Sequence, residues 1–116
     1  MAELQSYVDG WRKRARQAEA ARELRIQEAK KIAVLCAQTL VKDFNAGRVF
    51  LIGSLAEGTF RLNSDIDLIV EGLAPQIYFS ALSHISRLAG SFDIDLIPWE
   101  SYKYKDEVLE NGELLA

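Results

Sequence analysis

The chain has 116 residues, of which 49% are apolar and 27% charged, a mixture typical of one globular domain with a modest core. Its 14 Lys and Arg against 17 Asp and Glu give a net charge of -3, so the overall field does not favour stable nucleic-acid binding. The sequence shows no signal-peptide pattern and no apolar run approaching the roughly 20 residues of a membrane span. We therefore expect a cytoplasmic protein that does not bind membranes.

A long segment without proline, about residues 4–45, is rich in Ala, Arg, Glu, Lys and Gln, which favour helix. It predicts one long helix, or a short helix followed by a main helix over about residues 11–44 if the chain bends at Gly10. Apolar residues at spacings of three and four mark one buried face: Ile26, Ala29, Ala33, Cys36, Leu40 and Phe44. Gly47 is expected to cap the helix. Residues 1–46 are predicted to be a helical segment that packs on residues 47–116.

The rest of the chain alternates short apolar runs with helical patterns. In chain order we predict a strand over about residues 49–52, a turn or short helix over 55–62, a strand over 65–70, a helix over 76–88, a strand over 92–97 and a short helix over 105–110. No linker is long enough to divide these elements between two domains. The predicted fold class is α+β (mixed α/β), a small sheet with flanking helices preceded by the long N-terminal helix.

The pentapeptide Asp-Ile-Asp-Leu-Ile occurs twice, at residues 65–69 and 93–97. Residues i and i+2 of a strand share a face, so each copy carries two carboxylates on one side and apolar side chains on the other. If the two strands are neighbours, the carboxylates gather on one patch, where like charges raise each other's pKa unless a cation or water screens them. A lone Asp-x-Asp usually just faces solvent, but two copies together with the segment upstream of the first copy predict a metal site.

The expected metal follows from the type of ligand. Oxygen ligands without a Cys or His cluster select Mg²⁺, Mn²⁺ or Ca²⁺ over Zn²⁺. Two ions roughly 3.5 to 4 Å apart suit carboxylates on adjacent strands and clamp the attacking and leaving oxygens of a phosphoryl-type displacement. We expect two Mg²⁺ ions, with Mn²⁺ as an alternative.

Gly53 and Ser54 lie where the first strand ends and a short helix could begin, so backbone N–H groups there are available to an anion. Glycine allows close approach, and the serine hydroxyl can donate to a phosphate oxygen. Gly-Ser alone is a common turn dipeptide. Its fixed distance to Asp65 and Asp67 strengthens the interpretation as a phosphate loop.

The segment GSLAEGTFRLNSDID, residues 53–67, consists of Gly-Ser, ten residues and Asp-x-Asp. It resembles the signature of the MNT group, the minimal nucleotidyltransferases of the DNA polymerase β-like superfamily, and the resemblance extends over about residues 49–115. It implies a polymerase β palm-like fold with a mixed sheet of three or four strands, and residues 47–116 as a minimal nucleotidyltransferase core.

The resemblance also implies roles for the carboxylates. Asp65 and Asp67 would be metal ligands, and Asp95 would be the third carboxylate, acting as a ligand and as the base. Asp93 is the alternative for that third position. Asp95 is preferred because the Asp-Leu-Ile-Pro that it begins fits the third-strand ending of the family better.

By the same resemblance, Gly53 and Ser54 would hold the triphosphate, Arg61 would contact phosphate and Ser64 would orient the following aspartate. Gly53→Val is expected to weaken nucleotide binding sharply, with less effect on the affinity for bare metal. Many relatives have Arg where this chain has Glu57, so one phosphate contact of the family is missing here.

The resemblance implies transfer of a nucleoside monophosphate, expected to be AMP from ATP, onto an acceptor hydroxyl. Free-standing MNT proteins resemble antitoxins paired with HEPN ribonucleases, in which a tyrosine of the toxin receives AMP. A HEPN-type toxin is therefore the expected partner. The alternatives are an antitoxin that acts by binding alone and a transferase for a small hydroxylated molecule. A sugar-nucleotide glycosyltransferase would need a longer chain.

Several residues with functional side chains are expected to be structural. We expect Cys36 to pack in the core, His84 to pack or lie on the surface, and Trp99, Tyr102 and Tyr104 to pack against the last helix rather than stack on a base.

The N-terminal helix carries a further apolar stripe: Tyr7, Trp11, Ala15 and Ala18. A helix of about 40 residues spans roughly 60 Å, whereas a small domain spans about 25 to 30 Å. We therefore expect residues 1 to about 20 to form an interface, either with a HEPN-like toxin or with a second copy in a homo-oligomer, unless they fold back at Gly10.

Overall fold

The computed structural model describes residues 2–116; Met1, part of the predicted segment 1–46, lies outside the described residues. The elements in chain order are α1 (Ala2–Phe44), β1 (Arg48–Ile52), α2 (Gly53–Glu57), β2 (Ile66–Glu71), a 3₁₀ turn (Pro75–Ile77), α3 (Tyr78–Ala89), β3 (Ile94–Pro98), a second 3₁₀ turn (Trp99–Ser101), α4 (Lys105–Asn111) and β4 (Glu113–Leu114).

The strands form one mixed sheet in the order β3-β2-β1-β4. β1 pairs antiparallel with β2 and with β4. β2 and β3 pair in parallel, with α3 as the crossover between them. The predicted α+β class and small mixed sheet are therefore confirmed.

The two faces of the sheet have different partners, because alternate residues of each strand point to opposite sides. One face packs against α1 and α3 and forms the main core, which includes Leu51, Ile66, Leu68 and Leu96. On the other face Val108 of α4 forms a smaller cluster with Phe50 and Ile69 of the sheet. The apolar sides of both pentapeptides face the main core, as their alternation predicted.

Helix α1 is continuous over 43 residues, without a break at Gly10. Its buried residues are Ala29, Ala33, Cys36, Ala37 and Leu40, which agrees with the predicted face. The helix ends at Phe44, as predicted, where Asn45 has a positive φ of 60° and the N–H of Ala46 donates to the Leu40 carbonyl at 3.0 Å. The prediction of Gly47 as the cap is wrong, because asparagine tolerates the left-handed conformation and ends the helix first.

Helix α1 also determines the outline of the molecule, whose principal extents are 66, 30 and 17 Å. Its 43 residues account for the longest dimension at roughly 1.5 Å per residue. Within residues 2–116, no helix has the length and apolar character needed to cross a membrane.

Candidate active site

The carboxylates gather at one end of the sheet, on the face that α4 partly covers. Asp67, near the start of β2, is in register with Asp95 of the parallel strand β3 and with Ile52 of β1. Register partners in neighbouring strands project to the same face about 4.7 to 4.9 Å apart. Asp67 and Asp95 therefore lie side by side, and Asp65 lies directly before β2.

The grouping of carboxylates changes the pKa of Asp67. This residue is half-buried, whereas Asp65 and Asp95 are exposed. Burial, together with the negative charges of Asp95 and then Asp65, raises the pKa of Asp67 to about 6. A carboxyl with this pKa is mostly ionised at neutral pH, although its surroundings oppose the charge. A bound cation would relieve that opposition.

The register also bears on the choice between Asp93 and Asp95. Asp93 is exposed and precedes β3, and its backbone carbonyl accepts the N–H of Ile66 at 2.9 Å. Its charge is not among the causes of the raised pKa of Asp67, whereas the charge of Asp95 is. The geometry favours Asp95 as the third carboxylate, although its role stays a prediction.

Gly53 directly follows β1 and lies against Asp67. Its φ is +74°, a conformation that L side chains rarely adopt, and a Cβ atom at this position would overlap Oδ2 of Asp67. Glycine is therefore required twice, by the backbone conformation and by the neighbouring carboxylate. The sequence predicts a glycine here for close approach by phosphate, but it does not reveal the contact with Asp67.

Ser54 is half-buried in the first turn of α2. No side chain caps this helix at Ile52, so no side-chain acceptor is bound to the first N–H groups of α2. The Ser54 carbonyl accepts the N–H groups of Gly58 and Thr59, which closes the turn after α2. Ser54 and Gly53 thus begin a compact turn beside Asp67.

Arg61 and Ser64 belong to the loop that enters β2. The Ser64 hydroxyl accepts the Arg61 N–H at 2.9 Å, and the Ser64 N–H donates to the Arg61 carbonyl at 3.1 Å. Ser64 thus closes the turn that precedes Asp65, and its role in orienting Asp65 stays a prediction. The Arg61 side chain is exposed, and its contact with phosphate stays a prediction.

Two residues that the sequence argument did not single out support the site. Arg22 of α1 donates to the backbone carbonyls of Phe60 at 2.9 Å and Gly58 at 3.1 Å, so the long helix fastens the loop after α2. Tyr78 donates to the Leu96 carbonyl at 2.5 Å and so anchors the edge strand β3 beside Asp95. Both bonds join residues far apart in sequence, so no local pattern could have revealed them.

A cleft of about 150 Å³ adjoins Gly53 between α2 and α4. Its lining residues are Ile52, Gly53, Glu57, Tyr102, Glu107, Val108, Asn111 and Gly112. Glu57, the residue that replaces an Arg of many relatives, is exposed at this cleft.

The remaining predicted residues have packing roles. Cys36 is buried, and burial raises the pKa of its thiol to about 11, so it stays protonated. His84 packs on Phe44 with ring centroids 5.5 Å apart, and Trp99 stacks on Phe50 at the same separation. Tyr104 packs edge-on against Tyr102 and remains 61% exposed.

Comparison with known proteins identifies the family of this fold and site. The family model described as "Polymerase beta, Nucleotidyltransferase" matches residues 35–116. The chain belongs to this nucleotidyltransferase family. No curated protein matches the sequence.

Three crystal structures resemble this nucleotidyltransferase. A toxin–antitoxin with AMP-PNP shares 24% identity with a TM-score of 0.59, covering 72% of each chain. A mutant of the MntA-HpeT toxin–antitoxin shares 23% identity with a TM-score of 0.55, covering 68% of each chain. A nucleotidyltransferase structure from Sulfolobus solfataricus shares 25% identity with a TM-score of 0.51, covering 79% of this chain and 82% of that one. At these identities, the likeness to the two toxin–antitoxin structures concerns the fold.

The carboxylates of the nucleotidyltransferase fit a divalent cation that is shared with a substrate. Within residues 2–116, no three Asp, Glu, His or Cys side chains are grouped closely enough to enclose a metal ion by themselves. Mg²⁺ does not need such a group, since it is usually bound by one or two carboxylates together with substrate phosphates. The adjacent Asp67 and Asp95, with the raised pKa of Asp67, are a donor set of this open kind.

Proposed function

We propose that this nucleotidyltransferase transfers AMP from ATP to a hydroxyl group of a partner protein, a tyrosine of a HEPN-type ribonuclease toxin, and thereby acts as an antitoxin. The observation that carries the catalytic part is the pairing of Asp67 with Asp95 beside Gly53. It supports a site in which two carboxylates and the phosphates of one nucleotide share cations.

In the proposed reaction, the acceptor oxygen attacks the α-phosphorus of ATP. The new oxygen–phosphorus bond forms as the bond from the α-phosphorus to the bridging oxygen of the β-phosphate breaks, and pyrophosphate leaves. Asp95, which is exposed at the sheet edge, would accept the proton of the attacking hydroxyl if that hydroxyl lies within hydrogen-bond reach.

Asp65, Asp67 and Asp95 would hold two Mg²⁺ ions together with the triphosphate oxygens. When bound, the ions would supply positive charge to the phosphates and lower the pKa of the acceptor hydroxyl. The residues of this chain then bind and orient: Gly53 and Ser54 would receive the β- and γ-phosphates.

The partner and the nucleotide are inferred from the similar structures. Two of them are toxin–antitoxin structures, one of which contains the ATP analogue AMP-PNP. Together with the Gly-Ser and Asp-x-Asp segment, they support ATP as the donor and a toxin as the acceptor. The division into a helical segment over residues 1–46, which packs on the domain, and a minimal nucleotidyltransferase core over residues 47–116 stays a prediction.

The test is transfer of label from ATP labelled at its α-phosphate to a co-purified toxin, followed by mass spectrometry of the modified residue. We expect Mg²⁺-dependent addition of AMP to a tyrosine of the toxin and none with Asp67→Asn. Neutralisation of the toxin without incorporation of label would instead indicate an antitoxin that acts by binding alone. Label on small hydroxylated molecules but not on the toxin would contradict the protein acceptor.

A further inference from the structure

The first half of α1 extends beyond the folded domain. Going from the N-terminus, Arg22 is the first residue with a hydrogen bond to another element, to the carbonyls of Gly58 and Phe60. All of residues 2–21 are exposed, apart from Val8 and Gly10, which are half-buried. This stretch, called the arm below, is therefore a helix about 30 Å long, at roughly 1.5 Å per residue, with no sheet beneath it.

The arm carries an apolar stripe of coiled-coil spacing. Leu4, Val8, Trp11, Ala15 and Ala18 follow one another at intervals of four, three, four and three residues, the pattern of core positions in a coiled coil. Leu4 and Trp11 are 64% and 63% exposed. In proteins most of the stability of a helix comes from packing of its amphipathic face, so a second surface over this stripe would stabilise the arm.

The charges of the arm limit what that surface can be. Four residues are basic and three are acidic: Arg12, Lys13, Arg14, Arg16, Glu3, Asp9 and Glu19. This near balance does not favour binding of nucleic acid, because phosphates attract a surface that is mainly positive. It also does not oppose association between the arms of two copies.

We propose that the arm pairs antiparallel with the arm of a second copy to form a homodimer. Antiparallel pairing about a twofold axis near residues 9 and 10 sets Leu4 opposite Ala15 and Val8 opposite Trp11, and symmetry repeats both pairs. Each layer of the interface then combines a larger side chain with a smaller one, as close packing requires.

The residues beside the stripe fit the same arrangement. Antiparallel pairing brings Tyr7 of one copy towards Arg14 of the other, so a guanidinium can lie over an aromatic ring. Parallel pairing in register would set Trp11 against Trp11 and Ala15 against Ala15, which leaves the layers uneven in width. The sizes of the side chains therefore select the antiparallel pair.

Sedimentation equilibrium of the full chain tests the dimer. We expect a reversible monomer–dimer equilibrium between about 1 µM and about 1 mM. Trp11→Ala is expected to raise the dimer Kd about tenfold or more, since a central Trp is a typical interface anchor. Phe79→Ala is the matched control, because Phe79 is a 79% exposed aromatic on α3, and it is expected to leave the Kd unchanged. A chain that is monomeric throughout this range overturns the proposal.

Cross-linking tests the direction of pairing. Leu4→Cys mixed with Ala15→Cys is expected to give oxidised dimers, whereas each variant alone gives none, because the two positions face each other only across antiparallel arms. The native Cys36 is fully buried and does not interfere. Cross-linking of either variant with itself would indicate parallel pairing and overturn the proposal. So would an arm that becomes protected from proteolysis only when an added toxin is bound.

Discussion

The two halves of α1 belong to one continuous helix and have the same spacing of apolar residues, yet their surroundings differ. In residues 22–44 the apolar face is buried against the sheet and α3, with Ala29 and Ala33 fully covered. In residues 2–21 the same face lies beyond the end of the domain, and Trp11 is 63% exposed. Periodicity thus identifies the face that a helix buries, but it does not identify the surface that covers it.

The folded half also contributes to the candidate site, whereas the arm does not touch it. Arg22 bonds the carbonyls of Gly58 and Phe60, which follow the Gly-Ser turn. Because only the folded half of α1 contacts the site, we expect substitutions within the carboxylate patch to alter catalysis strongly. Substitutions in the arm are expected to leave catalysis intact.

The largest effect is expected for Asp67→Asn, which removes a proposed metal ligand while preserving shape. Transfer should fall by about 10² or more, because a lost metal contact removes several kcal/mol of charge stabilisation. Asp93→Asn is the matched control and should have little effect. The rates are measured under saturating Mg²⁺. Equal turnover by wild type and Asp67→Asn would contradict the assignment.

Gly53→Ala is expected to have the next largest effect, and Gly58→Ala is its matched control. Both glycines have positive φ, +74° and +85°, but a Cβ at Gly58 has no atom within 4 Å. Both variants should lose about 1 kcal/mol of stability from backbone strain. Gly53→Ala alone should also displace Asp67.

Calorimetry should therefore show that Gly53→Ala weakens binding of both nucleotide and Mg²⁺, by about tenfold or more. From the sequence we expected a change at Gly53 to affect the affinity for bare metal less than that for nucleotide, and the contact with Asp67 is the reason for the revised expectation. Similar affinities for the two alanine variants would mean that this contact does not matter.

A smaller effect concerns the pH dependence of stability without metal. Asp67 has its pKa raised from 3.8 to about 6 in the folded protein, so the folded state binds the proton more tightly than the unfolded state. This contribution is fully present below about pH 4 and is lost as pH rises through about 6.

In chelator, the thermal midpoint of the wild type should therefore fall relative to that of Asp67→Asn between about pH 4 and 6. Added Mg²⁺ should reduce this difference at the higher pH. Parallel pH profiles for the two proteins would show that Asp67 is not perturbed.

The smallest effect on the site is expected from deletion of residues 1–18, which spares Arg22. Affinities for Mg²⁺ and nucleotide should stay within about twofold of wild type, since distant sites act independently. Dimerisation should be lost. If the shortened chain unfolds, or keeps its partner with unchanged affinity, the arm is structural and not an interface.

The sequence by itself determined the features that depend on local periodicity. The buried face of α1, the three main strands and the division of each pentapeptide into a carboxylate side and an apolar side all follow from repeats of about 3.6 and 2 residues. Strand β4, Glu113–Leu114, has only two residues and is too short to produce such a signal. The helix cap was missed because Asn45 and Gly47 can both adopt a positive φ.

Only the tertiary structure decided which local features meet. Parallel pairing of β2 and β3 brings Asp67 beside Asp95, and the turn after β1 presses Gly53 against the same carboxylate. Arg22 supports the site through hydrogen bonds to backbone carbonyls 36 and 38 residues away in sequence. Tyr78 does so through a hydrogen bond to a carbonyl 18 residues away. Such contacts depend on the order of the strands and on how the helices cross the sheet. Because every residue has a carbonyl that can accept a hydrogen bond, the amino-acid pattern does not indicate which carbonyls Arg22 and Tyr78 bind.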